Sequence, residues 1–359
     1  MKTQTDVNYK QLLNHSYHST SHLISTAMDH AVSRSRQLLN TAIKSLSMPS
    51  TPYQLRTIEV KVADDITLPI SVIGQGPPVM MLHAYGMDTR EFLPFILPLA
   101  SKYTFYLPHL RGFGAAQPIR LTQFDFVRQY ADDVDKIITH ICQYHRIKSL
   151  PVAAISMGAL VMWAYFEQYG DTKVSRYLNI DQSPVIHNQP DWQGGLFGTR
   201  QQEVFDIFQD VIDKTLPYAN VGSFTHLPFA LKRRATDVER LFSLLSVNRT
   251  RSKAFVQMMT YKNDPKLSLY DHSIWNHKMQ CLQAYLELPY DFRGAIDKVS
   301  IPVVNLIGGR SKLYDPKWQQ KVTQMLPNAT EIVLPNSGHA VPLDEPVGFY
   351  RVLKEFFAD

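Results

Sequence analysis

The segment Leu150–Val161 contains a serine where a nucleophile would be expected. The apolar run Leu150–Ile155 predicts a strand, Ser156 follows it, and a mostly apolar helical segment comes next. A serine on such a strand–turn–helix is held above the end of the sheet, and the helix directs backbone N–H groups at negative charge that forms there. The turn needs small residues two positions to either side; Ala154 and Gly158 supply them, although glycine is usual at the first. We interpret Ser156 as the nucleophile. The alternative is a serine that only caps the helix.

A second candidate is His339, in a glycine-containing loop between the predicted last strand, Glu331–Leu334, and a predicted final helix, Val347–Phe357. A histidine at the carboxyl end of a strand can approach a nucleophile on a neighbouring strand and act as its general base. An isolated loop histidine is otherwise simply solvated. Together with the serine turn, His339 is predicted to be that base.

The third motif is His83-Ala-Tyr85-Gly86, directly after the predicted strand Val79–Leu82. A turn here could offer the backbone N–H of Tyr85, which together with the N–H of Met157 would hold a tetrahedral oxyanion. His83 itself is interpreted as structural rather than as a base.

These motifs, with the glycine-containing loop Pro108–Gly114 between them, occur in an order that resembles the α/β-hydrolase superfamily. The resemblance covers about residues 55–358. In the helical segment between Pro184 and about Val299 only the architecture is similar, without matching motifs. It implies an eight-stranded sheet, a helical cap after the sixth strand, and a nucleophile, acid and histidine in that chain order. It also implies catalytic machinery with no metal and no organic cofactor.

The acid is where the sequence departs from the superfamily pattern. Members usually carry Asp in a Gly-x-x-Asp turn after the seventh strand, whereas Gly308-Gly309-Arg310-Ser311 has serine at that position. Two carboxylates are candidates. Asp181 ends the predicted sixth strand, and some members take their acid from this strand; Asp315 lies four residues beyond the serine. A triad acid must be partly buried at a strand end, which favours Asp181 and leaves Asp315 as the alternative.

Strand and helix patterns alternate along most of the chain. A β-hairpin is predicted within residues 58–72, and unbroken apolar runs predict strands covered on both faces at 103–107, 177–180 and 303–307. Helical spacing over 124–145 and 157–169 separates them. The predicted fold class is therefore α/β, with a mostly parallel sheet and helices on both faces.

Three regions are predicted from these patterns. Residues 1–52 form an N-terminal extension with an amphipathic helix at Ile24–Leu46, residues 53–184 and 300–359 form the hydrolase core, and residues 185–299 form a helical cap. The extension carries five Lys or Arg against two Asp. Docking on the main domain or on another subunit is the favoured role of its helix, while peripheral membrane contact through residues 22–48 and a targeting role stay open.

Composition excludes several other classes of protein. The 359 residues are 45% hydrophobic and 19% charged, which is typical of a globular chain. The net charge of +5 is too small for a phosphate-tracking surface, so no nucleic-acid partner is predicted. The two cysteines support neither a disulfide framework nor a thiolate zinc site, and no apolar stretch reaches the length of a membrane span. With no secretory signal apparent, a cytoplasmic location is predicted.

The predicted function is cleavage of a carboxylic ester or a related acyl bond through an acyl-serine intermediate. The aromatic residues of the cap suggest a small-molecule substrate with an apolar portion, and Trp192, Phe197 and Trp275 are its candidate contacts. An acyltransferase or a cofactor-free perhydrolase would use the same three catalytic groups. A non-catalytic binding protein on this scaffold is an alternative of another class, and self-association stays open.

Overall fold

The computed structural model describes residues 53–262 and 275–358, apart from the side chains of 259–262. The fold reported is that of the unit Leu55–Asp359. The predicted extension 1–52 and its helix at Ile24–Leu46 lie outside the described residues, as does part of the predicted cap. Within the described residues, no helix is both long and apolar enough to cross a lipid bilayer.

One eight-stranded sheet organises the chain, in the spatial order β1-β2-β4-β3-β5-β6-β7-β8. Strand β2 runs antiparallel to β1 and β4, and every other neighbouring pair is parallel. This arrangement confirms the predicted eight-stranded, mostly parallel sheet. The strands are β1 (Arg56–Ala63), β2 (Ile66–Gly74), β3 (Pro78–Leu82), β4 (Thr104–Pro108), β5 (Leu150–Ile155), β6 (Val174–Ile180), β7 (Val303–Gly308) and β8 (Ala329–Leu334).

The central strands are apolar along their whole length because helices cover both faces of a parallel sheet. All five residues of β3 and all five of β4 are buried. The edge strand β8 instead has a mixture of exposed and half-buried positions. The sheet core therefore lies around β3, β4 and β5. The candidate residues follow β5, β6 and β8, and β6 and β8 lie on one side of this core.

Helices of the core follow the predicted periodicity closely. The helix after β4 begins after the capping residue Asp125 and ends before Arg146, whose φ of 55° stops it. The helix after β5 covers the predicted 157–169. The core helices are α1 (Leu93–Ile96), α2 (Phe126–His145), α3 (Met157–Tyr169), α8 (Pro316–Met325), α9 (Val341–Asp344) and α10 (Pro346–Ala358), with 3-10 turns at Thr89–Phe92, Leu97–Leu99 and Gly114–Ala116.

Between β6 and β7 lies a long segment that we call the insertion, residues 185–299. Its described part is helical and has no strand, only two isolated bridges, Val185 with Asp291 and Gln189 with Trp192. The boundaries of a separate cap domain stay a prediction. The insertion contains α4 (Gln201–Thr215), α5 (Phe229–Ser246), α6 (Thr250–Lys262) and α7 (Trp275–Glu287), with 3-10 turns at Gly198–Arg200, Leu216–Tyr218, Phe224–His226 and Arg293–Lys298.

The topology of the sheet places the motifs at the carboxyl ends of its parallel strands. After β3 the chain moves outward to β4, then returns to place β5 on the other side of β3. Ligand sites of open α/β sheets lie at the carboxyl ends of strands around such a reversal. The loops that follow β3, β5, β6, β7 and β8 all begin at these carboxyl ends. They carry the candidate residues, among them Ser156, Asp181 and His339.

Candidate active site

Ser156 occupies a strained turn between β5 and α3. Its backbone has φ 53° and ψ −120°, a combination that non-glycine residues seldom adopt and that is tolerated mainly at functional sites. The Ser156 N–H donates to Ile180 O at 3.2 Å, which fixes the turn against β6. Its hydroxyl makes no described capping hydrogen bond to α3. The turn therefore leaves the side chain available for another partner.

Gly158 explains why a small residue is needed after the serine. A Cβ atom at this position would lie 2.8 Å from His83 O and 2.8 Å from the Leu82 Cβ atom, closer than such atoms pack. The first turn of α3 thus lies directly on the end of β3. Ala154, two residues before the serine, is fully buried and pairs in register with Leu82 on one side and Asn179 on the other. Its methyl group is accommodated at the position where glycine is usual.

His339 bridges the serine and a carboxylate. Its Nε2 lies 2.7 Å from Ser156 Oγ, and its Nδ1 lies 2.8 Å from Asp181 Oδ2. A carboxylate only accepts hydrogen bonds, so Nδ1 carries the proton and donates to Asp181. Nε2 is then the acceptor of the Ser156 hydroxyl. The imidazole is buried and therefore held away from competing water.

Asp181 is fully buried directly after β6, with φ 50°. Two donors meet its Oδ1 atom, the Gly308 N–H at 2.7 Å and Gln319 Nε2 at 2.8 Å. Oδ2 accepts from His339 and from Ser311 Oγ, the latter at 2.7 Å. Four donors match the acceptor capacity of an ionised carboxylate and fix its plane. Asp181 is therefore rigidly oriented towards the imidazole.

Asp315, the alternative acid, lies elsewhere in the hydrogen-bond network. Its exposed side chain caps α8, accepting from the Lys317 N–H at 2.9 Å. No described contact joins it to His339. Of the two candidates, Asp181 is the one that the structure brings to the histidine.

The loop after β3 lies beside the serine turn because β3 and β5 are adjacent. Met157 is the first residue of α3, where backbone N–H groups have no partner within the helix. The Tyr85 hydroxyl donates to Lys278 O at 2.9 Å, which ties this loop to α7. An oxyanion hole formed by the Tyr85 and Met157 amides stays a prediction.

His83 has both ring nitrogens occupied. Nδ1 donates to Ala84 O at 2.8 Å, and Nε2 accepts from the Leu110 N–H at 3.1 Å. Burial lowers the pKa of His83 to about 4, so the ring is neutral near pH 7. These contacts hold two loops together, in agreement with the structural role predicted for it.

The three predicted substrate contacts lie in different surroundings. Phe197 has φ 67° and packs its ring on Phe242, which in turn contacts the ring of Tyr85 at a centroid distance of 6.3 Å. Trp192 is buried against Trp318, with centroids 4.8 Å apart. The buried Trp275 donates its indole N–H to Val221 O at 3.0 Å. Of the three, Phe197 is connected to the candidate site by described ring contacts, and substrate binding by any of them stays a prediction.

Several residues of the site were not singled out from the sequence. Gln319 orients Asp181 from α8, and Tyr314 packs its ring on His339 at a centroid distance of 5.8 Å. Burial raises the pKa of Tyr314, which keeps its hydroxyl neutral beside the imidazole. Neither residue belongs to a motif with a fixed spacing. From the sequence, Ser311 is only the position where the superfamily pattern has a carboxylate; in the structure its hydroxyl donates to Asp181.

No metal-binding cluster occurs in the part of the chain that the structure describes: three His, Cys, Asp or Glu side chains are nowhere grouped as ligands there.

The pair Arg111 and Asp133, near the site loops, forms a buried bidentate ion pair with two contacts of 2.7 Å. This ion pair fixes the loop that carries Arg111.

Comparison with known proteins identifies relatives of the chain. A pimeloyl-[acyl-carrier protein] methyl ester esterase of Vibrio campbellii is 21% identical over 285 residues, covering 79% of this chain and 96% of the relative. The solved structure of an esterase from Exiguobacterium antarcticum covers 85% of this chain and 100% of its own, with a TM-score of 0.66 and 17% identity. A bromoperoxidase from Bacillus anthracis covers the same shares, with a TM-score of 0.62 and 16% identity.

At these identities the solved structures show a shared fold. The names of the sequence relative and of the first structure agree with the prediction of an esterase-like enzyme. The family model described as alpha/beta hydrolase fold matches residues 77–346, well over half of the chain. The chain therefore belongs to the α/β-hydrolase-fold family.

Proposed function

We propose that this protein is a serine esterase that cleaves a carboxylic ester through an acyl-serine intermediate. Ser156 is the nucleophile, His339 the general base and acid, and Asp181 the carboxylate that orients His339. The single observation that supports this most strongly is the continuous hydrogen-bond chain of these three side chains, with links of 2.7 Å and 2.8 Å. Nucleophile, base and orienting acid within hydrogen-bond reach are the arrangement that acyl transfer requires.

The reaction follows from the direction of these hydrogen bonds. His339 Nε2 takes the hydroxyl proton as Ser156 Oγ bonds to the ester carbonyl carbon, and the negative charge on the carbonyl oxygen faces the Met157 and Tyr85 amides. The tetrahedral intermediate collapses, the C–O bond of the ester breaks, and the leaving alcohol receives the proton from Nε2. Water then attacks the acyl-serine with His339 again as base, which releases the acid and restores Ser156. Asp181 stabilises the imidazolium formed in each half-reaction.

The proposed substrate class is an ester with an apolar portion. Aromatic rings run from the loop after β3 into the insertion, with Tyr85 touching Phe113 at 5.7 Å and Phe242 at 6.3 Å between centroids. Apolar walls with a few polar groups are typical of small-molecule sites. Because the name of the Vibrio campbellii relative specifies a pimeloyl-[acyl-carrier protein] methyl ester, methyl esters of medium-length acids are the first substrates to test.

The experiment is hydrolysis of an ester panel of increasing acyl length by the parent and by Ser156→Ala. We expect Ser156→Ala to lower kcat/KM by about 10⁴-fold or more, because the attacking group is lost. A serine-directed phosphonate should label the parent once and fail to label Ser156→Ala. Ser300→Ala, which removes an exposed hydroxyl that contacts Asp171, is the matched control and should behave as the parent. Unchanged turnover in Ser156→Ala would overturn the proposal.

Transfer of the acyl group to another acceptor is a second candidate, and the structural neighbour named a bromoperoxidase is the reason to include peroxide among the acceptors. The acyl-serine step is the same, so only the resolving nucleophile differs. Product analysis with water, an alcohol and peroxide in competition separates the two. Exclusive formation of the free acid would remove this candidate. No ester turnover and no phosphonate labelling of the folded parent would instead favour a non-catalytic binding protein.

A further inference from the structure

A second buried carboxylate, Asp344, lies five residues after the candidate base. Its side chain is fully buried, yet the described partners of its carboxylate oxygens are backbone amides rather than cations. Oδ2 accepts from the Gly338 N–H and the Asn248 N–H, both at 2.7 Å, and Oδ1 accepts from the Arg249 N–H at 2.9 Å. A buried charge is costly unless donors of this kind surround it. The three amides therefore have to stay in place around the carboxylate.

Two of the resulting hydrogen bonds flank His339 in the chain. The preceding residue, Gly338, donates to Asp344, and the following residue, Ala340, donates its N–H to Ser246 O at 2.7 Å. A Cβ atom on Gly338 would lie 2.8 Å from Ser246 O and 3.1 Å from Asp344 Oδ2, so the backbones are in close contact. The main chain on both sides of the imidazole is thus fixed.

The partners on the other side belong to the insertion. Ser246 ends α5, and Asn248 and Arg249 connect it to α6; we call residues 246–249 the α5–α6 junction. Further contacts reinforce this attachment, since Arg249 Nη2 lies 2.7 Å from Glu345 Oε1 and Ser252 Oγ donates to Leu343 O at 3.1 Å. The loop that carries His339 is therefore tied to the insertion as well as to the sheet.

We propose that Asp344 is a positioning residue for His339, joining the α5–α6 junction to the His339 loop so that the imidazole meets Ser156 and Asp181. The proposal rests on the proposed esterase function. Asp344 touches neither the ring of His339 nor Ser156 in the described contacts, so it acts through the backbone. Misplacement of a catalytic group by about 1 Å can lower the rate by about 100-fold. The support of this loop is therefore expected to affect the rate of the reaction.

The test compares Asp344→Asn with Asp171→Asn. In Asp344→Asn one of the two oxygens becomes an NH2 group, so either the Arg249 N–H or the pair of N–H groups from Gly338 and Asn248 faces another donor. Asp171 is the matched control, because its carboxylate also accepts backbone N–H groups, those of Ser300 at 2.6 Å and Ile301 at 3.2 Å. Asp171 precedes β6, and Ser300 and Ile301 precede β7. They therefore lie at the amino ends of these strands, whereas the site lies at the carboxyl ends.

With a short ester, well below both melting temperatures, we expect Asp344→Asn to lower kcat by about 10- to 100-fold and to leave KM within about twofold of the parent. The rate of phosphonate labelling should fall by a similar factor, since that reaction also needs the base in place. Asp171→Asn should keep kcat and the labelling rate of the parent, since its remaining oxygen can still accept from Ser300 and Ile301. A loss of melting temperature in Asp344→Asn with parental kcat and labelling would overturn the proposal.

Gly338→Ala provides a second variant that leaves the carboxylate intact. Its methyl group pushes against Ser246 O, so the same fall in kcat with little change in KM is expected, while Gly294→Ala, whose Cβ would meet only Glu167 Oε1 at 3.7 Å, should match the parent. A folded Gly338→Ala with parental kcat would also overturn the positioning role. Failure of the proposed function is recognised separately, because the parent itself would then lack phosphonate labelling and ester turnover.

Discussion

The carboxyl ends of β6 and β7 are neighbours in the sheet, yet they support the candidate site in different ways. At the end of β6 a carboxylate, Asp181, contacts the imidazole of His339 directly. After β7, at the position where a carboxylate is usual in the family, Ser311 offers a hydroxyl that donates to Asp181 at 2.7 Å. One hydrogen bond thus joins the two positions: the carboxylate after β6 accepts it, and the hydroxyl after β7 donates it.

In the candidate site the carboxylate beside the histidine therefore comes from the end of β6 rather than from the end of β7. Both strands end beside the loop that follows β8, because β6, β7 and β8 are consecutive in the sheet. Asp181 reaches the histidine with a φ of 50°, a conformation that aspartate tolerates better than most residues. Three further donors, from Gly308, Ser311 and Gln319, fix the carboxylate there.

The largest expected effect separates the two acid candidates. Asp181→Asn keeps the shape of the side chain but removes the charge that stabilises the imidazolium, so kcat/KM on the best ester should fall by about 10³- to 10⁴-fold. Asp315→Asn should stay within about threefold of the parent, because asparagine also caps helices and the position has no described contact with His339. Steady-state kinetics of both purified variants check this. Near-parental activity in Asp181→Asn would show that Asp181 is not the acid.

A smaller effect is expected from moving the carboxylate to the neighbouring strand. Ser311 Oγ lies 2.7 Å from Asp181 Oδ2, which itself lies 2.8 Å from His339 Nδ1, so a carboxylate at position 311 is close to the imidazole. The double variant Asp181→Ser/Ser311→Asp should therefore exceed the single variant Asp181→Ser in kcat/KM by about tenfold. Equal activity of the two would mean that the strand ends are not interchangeable in this chain.

The smallest effect concerns the shared hydrogen bond alone. Ser311→Ala removes one of four donors to a buried carboxylate, so the free energy of unfolding should fall by about 1–2 kcal/mol and kcat by about 3- to 10-fold. Ser300→Ala is a matched control, since it removes a hydroxyl–carboxylate contact of 2.9 Å that is exposed to solvent. Thermal denaturation and kinetics on both variants measure the difference. Equal effects of the two would show that the Ser311 contact adds nothing specific to the site.

Local patterns predicted the sheet and its helices well because strands covered on both faces leave unbroken apolar runs. The run predicted at 303–307 corresponds to Val303–Gly308, and the helix predicted over 157–169 has those bounds. Ser156 and His339 could also be proposed from the sequence, since each lies in a short segment whose residue types have a chemical meaning. The resemblance to the α/β-hydrolase superfamily is confirmed by the family match over residues 77–346.

Other parts of the site left no local signal. Gln319 lies on a largely polar helix, and nothing in its neighbours indicates that its amide contacts Asp181 across 138 positions of chain. Asp344 resembles any acidic residue near a helix start, although it is fully buried among backbone amides of the insertion. Such contacts depend on the packing of distant segments, which single-sequence patterns do not record.

By itself the sequence determined the order of strands and helices, the turn that exposes the Ser156 hydroxyl and the loop that carries His339, because each depends on residues close together in the chain. It narrowed the acid to two carboxylates. Tertiary structure decided which of them lies beside the histidine: the pairing of β6 with β7 brings Asp181 and Ser311 together, and Asp181 contacts His339, while the exposed Asp315 caps a helix. Hydrogen bonds between groups more than a hundred residues apart need relative positions set to within a few tenths of an ångström, and only the packed fold sets them.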